Sequence, residues 1–540
     1  MKPLPHSSHG SSFAAGLLVW SLALVVVGCT TFHDRPLSAE TELAEFEVRS
    51  LSDPGLKAFL EANLPAELAA WPLSSWDLDA LSLVAFYYHP DLDVARAQLA
   101  IAQAARIAVG ASLNPSASLA PAFNASTPPP WILGLSFDIP IETAGKRGYR
   151  IAQAEHLTDA ARLGLASTAW RVRGRVRRNL LGLYAAEESE ILLAKQQSIQ
   201  ADAVRVLEAQ LQAGAISPFA LTQARIALRQ AGIAVLGAQQ QAVNARVSLA
   251  EALGVPLTAL DHLAWNFDGF RVAPGDLPDA TARRQALLNR TDLRSALAEY
   301  AAMQSALQLE VAKQYPDIHL GPGYQLDQTD NKWTLGLAVA LPVFDHNEGG
   351  IAQAEARRTE SAARFLALQA RVVSEIDRAV AGFRAALAKA QALEAIHRDI
   401  ASQLSVAQGM RDAGEISRIE LVQRQLDLGN AALAHLGALV TAQEAISDLE
   451  DALQSPARLP AALEQSPGGS PAREMSLLRP VLGGFDVMAM DHVGKRLFLN
   501  AAESNTTDVS DLAVGKDLFL TVLQVEGPFA KMRVYSSTKM

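Results

Sequence analysis

The chain has 540 residues and a formal net charge of −10, with 19% charged and 6% aromatic residues. An acidic balance argues against nucleic acid as a partner. So few aromatics among so many alanines suit long helices packed through small side chains better than a set of large aromatic cores.

Residues 1–28 read as a targeting segment. Lys2 is followed by polar residues and then by an apolar run from Phe13 to Val27, which is short for a transmembrane helix. The run ends in Val26-Val27-Gly28-Cys29. This ending resembles a bacterial lipobox, in which a cysteine after a small residue is acylated and becomes the first residue of the mature chain. Cys29 is the single cysteine, so no intrachain disulfide can form. The alternative is a plain signal peptide with an unrelated cysteine. Thr30 replaces the aspartate that often retains such lipoproteins in the inner membrane, which favours the outer membrane. Residues 29–74 read as an extended arm with one short helix over Pro54 to Asn63.

A first repeat spans 75–253. A helix is expected from Leu78 to Ala111, interrupted at His89-Pro90, where Pro90 suits a first helical position. Asn114-Pro115 ends it. Ser116 to Ala125 and Trp131 to Ile139 read as two strands around Thr127-Pro128-Pro129-Pro130. In the second strand Ile132, Phe137 and Ile139 are taken as the alternating set, with Leu135 out of phase and Pro140 as the stop. A very long helix then runs from Gly148 to Ala213. The turn Gly214-Ala215-Ile216-Ser217 follows, with Gly214 in a left-handed C-terminal position and Ser217 as the next N-cap. Pro218 opens a returning helix to Leu253.

Residues 254–280 form a short connecting segment, and 281–455 repeat the first plan. Ile151-Ala152-Gln153-Ala154-Glu155 recurs as Ile351-Ala352-Gln353-Ala354-Glu355, 200 positions on. Gly214, Ile216, Ser217, Leu221 and Gln223 recur as Gly414, Ile416, Ser417, Leu421 and Gln423 at the same offset. The strands here are Ile318 to Leu326 and Trp333 to Leu341, the second with large apolar residues at every odd position. Gly349 to Ala413 is the second very long helix. Ser417-Arg418-Ile419-Glu420 reads as a capping box before a helix to Ala452. A helix of such length would span about 100 Å, which implies a bundle or coiled coil.

Residues 456–484 are a Pro/Gly-rich linker. Residues 485–540 suggest a small all-β domain, with strands over Val487 to His492, Arg496 to Asn500, Asp517 to Val525 and Ala530 to Tyr535. Met488, Met490 and His492 alternate, which places them on one strand face. Thioethers with an imidazole suit Cu(I) or Ag(I); the alternative is methionines facing a core with His492 at the exit turn. No other cofactor is expected. Zinc-type histidine pairs, a Gly-rich phosphate loop and nucleophile signatures are all missing, so no enzyme activity is expected.

The doubled helix–hairpin–helix plan, the Pro140 and Pro342 strand exits and the Gly-x-Ile-Ser turns resemble the TolC-type outer-membrane efflux proteins, in particular the lipoprotein members paired with resistance–nodulation–division pumps. The resemblance covers residues 75–455, and the lipobox agrees with it. It implies a mainly helical protomer that forms a homotrimer, closing a 12-stranded barrel in outer-membrane lipid above an α-helical periplasmic tunnel. It also implies contact of the turns at Gly214, Ile216 and Ser217 and at Gly414, Ile416 and Ser417 with a periplasmic adaptor of an inner-membrane pump. The family's acidic residue six positions past the turn glycine is Ala220 in repeat one and Glu420 in repeat two, so the first copy departs from the pattern. Arg411, Asp412, Arg418 and Glu420, with Glu415, are candidates for ion pairs that close the entrance; solvated tip charges are the plain alternative. Trp131, Trp333 and Tyr324 suit an aromatic belt. Residues 485–540 faintly resemble the CusF-like copper-binding fold, a small OB-type barrel, but lack its metal-binding Trp and paired Met. A periplasmic structural or binding lipoprotein, with the helices as spacers and a metal-binding C-terminal domain, is the rival reading; it has no use for amphipathic hairpins in both repeats.

Overall fold

A computed structural model of the protein describes residues 32–34, 36–63, 71–126, 128–275, 280–454, 487–490, 496–499, 518–526 and 529–536. Cys29, His492 and the 456–484 linker lie outside the described residues.

The arm is not simply extended. Besides the expected short helix, α2 (Pro54–Asn63), it forms α1 (Ala39–Glu47), capped by Ser38. Leu51, Leu56 and Leu60 are buried in the main core, and three apolar side chains spaced to one side are enough to dock so short a stretch. Arg49 Nη1 donates to the carbonyls of Tyr88 at 3.1 Å and Gly254 at 2.8 Å, satisfying two helix ends at once.

In the first repeat, α3 (Leu78–Tyr88) is capped by Asp77, whose carboxylate accepts from Ala80 N at 2.9 Å. The break before α4 (Pro90–Gly110) falls where Pro90 removes an N–H, and His89 Nδ1 accepts from Asp91 N at 3.1 Å. Next come β1 (Ser116–Phe123), β2 (Trp131–Ile141), α5 (Lys146–Gln212) and α6 (Pro218–Leu253). The connecting segment holds a 3-10 turn (Leu257–Leu260) and α7 (Asp268–Arg271), and it clasps the fully buried Trp76: Trp76 N donates to Ala264 O, and Asn266 N to Trp76 O, each at 2.9 Å. Then follow α8 (Ala280–Asn289), α9 (Thr291–Ala312), β3 (Ile318–Asp327), β4 (Asp330–Val339), α10 (Glu348–Asp412) and α11 (Arg418–Leu453).

The four strands form one antiparallel sheet in the order β1-β2-β3-β4, so β2 and β3 join the repeats edge to edge. Four strand expectations need correction. Pro140 does not stop β2 but pairs with His319; it lies beyond Asp138, the partner of Ser116 at the start of β1, so that side of β2 has no ladder bond to lose. Leu135 is in phase with Phe137 and Ile139, and Ile132 is the residue on the other face, opposite Ala122 and Asp327. β4 begins at Asp330, because a two-residue turn with Gln328 at φ 63° sets Asp327 opposite Asp330. Leu341 falls outside the strand, since Val339 already pairs with Ile318, the first residue of β3.

Below the sheet, α5 packs against α4, α6, α9 and α11, so the long helix of the first repeat is shared by both repeats. One core gathers the arm, α3, mid-α5 and the end of α6; a second centres on Val372, Ile376, Phe383, Ile446 and Leu449. The repeated pentapeptide Ile151–Glu155 and its copy lie within the first three turns of α5 and α10. Their Ala154 and Ala354 are buried, as close helix approach demands.

In the C-terminal stretch, β5 (Val487–Met490) pairs with β6 (Arg496–Leu499), and β7 (Leu518–Glu526) with β8 (Phe529–Ser536). Among the described residues these are two separate two-stranded sheets, with no pairing that closes an OB-type barrel. Met488 and Met490 sit opposite Phe498 and Arg496 in the β5–β6 register.

Candidate functional site

The sheet has two chemically different faces. Trp131, Leu133, Leu135, Phe137, Ile139 and Ile141 alternate along β2 on one of them. The register carries Leu119 and Phe123 of β1, Leu320 and Tyr324 of β3, and Trp333, Leu335 and Leu337 of β4 onto the same face. This surface is uncovered: Trp333 is 81% exposed, Leu335 73% and Leu337 70%. The opposite face carries small and polar residues, among them Ser118, Gly134, Ser136, Gly321, Gly323, Thr334 and Gly336. An apolar band on one side and a small polar lining on the other is the pattern of a membrane strand. The expected belt aromatics pair across strands at the hairpin end, Phe123 with Trp131 at 5.1 Å and Tyr324 with Trp333 at 4.8 Å. The outer edges of β1 and β4 have no strand partner among the described residues.

Where sheet gives way to helix, Lys146 joins the two repeats. Its Nζ donates to Tyr315 O at 2.6 Å and to Asp317 Oδ1 at 2.8 Å, while Thr143 N donates to the same carboxylate at 2.9 Å. Burial pushes the Asp317 carboxyl up, but the Lys146 and Thr143 hydrogen bonds outweigh it and hold it below its ordinary value. In the second repeat Asn347, at φ 60°, does related work: its Nδ2 donates to Glu310 O and Oε2, both at 2.8 Å.

Halfway down, α5 presents Arg173, Arg175, Arg177 and Arg178 to acids of other elements. Arg177 and Arg173 share Glu450 of α11, Arg178 takes Asp451 at 3.0 Å, and Arg175 takes Asp91 of α4 at 2.5 Å. Gly174 lets Asp451 in, since a Cβ there would lie 2.7 Å from its Oδ2. Sequence reading did not single out these residues, although four arginines within 173–178 on one helix were a signal that acids must lie opposite.

At the far ends the two turns have the expected backbone. Gly214 and Gly414 adopt φ 70° and 79°. Ala215 N donates to Gln210 O and Glu415 N to Met410 O, each at 2.8 Å, which closes both helices as Schellman motifs. Ile216 and Ile416 are half-buried. The caps differ. Ser417 Oγ accepts from Glu420 N at 3.1 Å, whereas Ser217 makes no side-chain cap bond. Turn one is uncharged, with Phe219 exposed. Turn two carries Arg411, Asp412, Glu415, Arg418 and Glu420, and none of them forms an ion pair within the protomer among the described residues. Along α6, Phe219, Ile226 and Ile233, and again Leu236 and Val243, recur at heptad spacing on an uncovered side.

No helix among the described residues is long and apolar enough to cross a membrane. The family model for outer membrane efflux proteins matches residues 87–255 and 282–454. The chain is 25% identical over 316 residues to the cobalt-zinc-cadmium resistance protein CzcC of Cupriavidus metallidurans, covering 58% of this chain and 75% of that protein. The fold is similar to the crystal structure of CusC, with a TM-score of 0.59 and 17% identity over 79% of this chain and 100% of that one. It is also similar to the outer membrane protein VceC of Vibrio cholerae, with a TM-score of 0.58 and 21% identity over 71% and 97% of the two chains.

Proposed function

As a member of the outer membrane efflux protein family, to which the chain belongs, the protein is an outer-membrane efflux channel, and we propose that three copies close their sheets into one 12-stranded barrel above a helical periplasmic tunnel. The observation that carries this reading is the four-stranded sheet with one apolar face and two unpaired edges. Four strands cannot close, and an open edge is not tolerated in lipid. Pairing β4 of one copy with β1 of the next removes every edge. The uncovered heptad seam on α6 supplies a matching lateral contact for the tunnel wall.

In this reading the turns at Gly214, Ile216 and Ser217 and at Gly414, Ile416 and Ser417 dock a periplasmic adaptor that connects to an inner-membrane pump. Arg411, Asp412, Arg418 and Glu420 pair between protomers to narrow the entrance. Cys29 carries the lipid anchor. The arm allows this: α4 lifts the sheet about 30 Å above the level where Arg49 is held, and the nine residues from 30 to 38, fully extended, reach about as far. The cargo is a divalent metal ion, a proposal resting on the likeness to a cobalt-zinc-cadmium resistance protein. Cu(I) or Ag(I) binding by Met488, Met490 and His492 remains a separate proposal, tested by titrating silver into the full chain against a Met488/Met490 double substitution.

The deciding experiment is the mass of the detergent-extracted protein by light scattering, with cobalt, zinc and cadmium sensitivity of a host lacking the gene. A trimer and a sensitised host support the reading. A monomer released by mild washing would return it to a periplasmic spacer.

A further inference from the structure

The non-apolar face of the sheet carries five titratable groups, and they divide into two sets. At the hairpin end Lys332 pairs with Asp327, beside Asp330. At the end nearest the tunnel stand Asp138 of β2 and His319 of β3, diagonal neighbours across the β2–β3 ladder. His319 Nδ1 lies 3.0 Å from Asp138 Oδ1 and 3.1 Å from Oδ2. Three carboxylates against one ammonium give this face an excess of negative charge.

The geometry of the second set is specific. The carboxylate accepts the Nδ1–H proton and so fixes the tautomer that leaves the Nε2 lone pair free. Both side chains are about half exposed, 44% for His319 and 50% for Asp138. The neighbouring positions Gly321 and Gly336 carry no side chain that would cover the ring. No group among the described residues engages Nε2. A carboxylate behind an imidazole is the arrangement that orients metal-ligating histidines and raises their basicity.

We propose that the His319–Asp138 pair is a transient docking point for borderline divalent cations inside the barrel, with His319 Nε2 as the donor atom. The proposal rests on the channel reading and deepens it by placing the cargo's chemistry on one atom. Zinc, cobalt and cadmium take imidazole readily, whereas magnesium and calcium prefer oxygen. One imidazole per protomer binds weakly. Weak binding suits a passage, where an ion must enter a site and also leave it. The negative face concentrates cations near the pair.

The test is the potassium current of the full-length protein in a planar bilayer, with zinc or magnesium added at constant ionic strength. Zinc is expected to reduce the current at neutral pH and magnesium not to. His319→Gln should abolish the zinc effect, and Asp138→Asn should weaken it about tenfold. Equal effects of zinc and magnesium, or a zinc effect untouched by His319→Gln, would overturn the proposal. If the reconstituted channel stays shut, copper(II) paramagnetic resonance of the detergent-extracted protein replaces the current: a nitrogen-coordinated species lost in His319→Gln supports the site, and identical spectra overturn it. A zinc effect in a channel whose host shows no metal sensitivity keeps the pair and sinks the metal-cargo reading. The reverse pattern sinks the pair alone.

Discussion

Gly254 and Gln454 stand at the same point of the two repeats, just past α6 and α11, and both hold left-handed backbone angles, φ 75° and 48°. Their surroundings differ. A Cβ at Gly254 would lie 2.9 Å from Tyr88 O, a rigid backbone atom. Gln454 has room, and its Oε1 accepts from Thr291 N at 2.7 Å and from Thr291 Oγ1 at 2.9 Å. Gly254→Ala should therefore cost at least the 1–3 kcal/mol or so of left-handed strain and loosen the Arg49 clasp as well. Gln454→Gly trades two hydrogen bonds for an easier backbone and should be close to neutral. Thermal unfolding of the extracted protein orders the two; equal midpoints would refute the argument.

Most of this architecture was legible because period and punctuation agree. The glycine turns, Pro90, Pro218 and the switch from alternation to helical spacing near residue 146 each act locally. What was missed depends on partners distant in sequence. The phase of β2 is set by its register against β3, so Ile132 looked like a member of the wrong face. The arm looked extended because Leu51, Leu56 and Leu60 find their core only in α3 and α5. The left-handed turns at Gly214 and Gly414 were legible, since turns are local. The Asp138–His319 pair was not, because 181 positions separate its members.

The Arg177–Glu450 pair joins the two repeats in a buried setting, with the residues 9% and 3% exposed. Removing the acid strands Arg177 and leaves Arg173 without its carboxylate. Glu450→Ala should cost about 3–5 kcal/mol, whereas the double replacement Arg177→Met with Glu450→Met should recover most of that. Denaturant unfolding of both variants is the measurement. A double variant as weak as the single one would show that the ion pair itself holds the helices.

Acid should act on two levels with opposite sign. Asp317 has its folded-state value held below its ordinary 3.8, so its contribution is present above about pH 4 and is lost as pH falls through the lower folded value. Asp451 is pushed up by burial, only partly offset by Arg178; protonating it favours the folded state, so that gain fades as pH rises through the raised value. Asp317→Asn should cost about 2 kcal/mol at neutral pH and flatten the loss below pH 4. Asp451→Asn should flatten the change above it. Unfolding midpoints across pH 3–7 separate the two, and parallel curves for both variants would contradict the assignment.

Cys29→Ser tests the anchor apart from the barrel. The sheet supplies its own apolar band, so the variant should still reach the outer membrane as an oligomer while losing palmitate labelling. Loss of the oligomer would mean that the lipid, rather than strand pairing, drives assembly.

The second tip separates capping from gating. Ser417 Oγ accepts from the Glu420 N–H, while the return bond of a full capping box, from the Ser417 N–H to the Glu420 carboxylate, is not formed among the described residues. Glu420→Ala therefore keeps the cap and removes only charge. Ser417→Ala does the reverse and should cost about 1 kcal/mol locally. With no ion pair among the described residues, Arg418 and Glu420 can meet partners on a neighbouring copy. Glu420→Ala and Arg418→Ala should each raise closed-state conductance in a planar bilayer, and high salt should raise that of the unaltered protein towards the same level as it screens the pairs. Ser417→Ala should leave conductance unchanged. Equal closed-state leak in all three variants would reduce the tip charges to solvated ornaments of a turn whose work is done by Gly414 and Ser417.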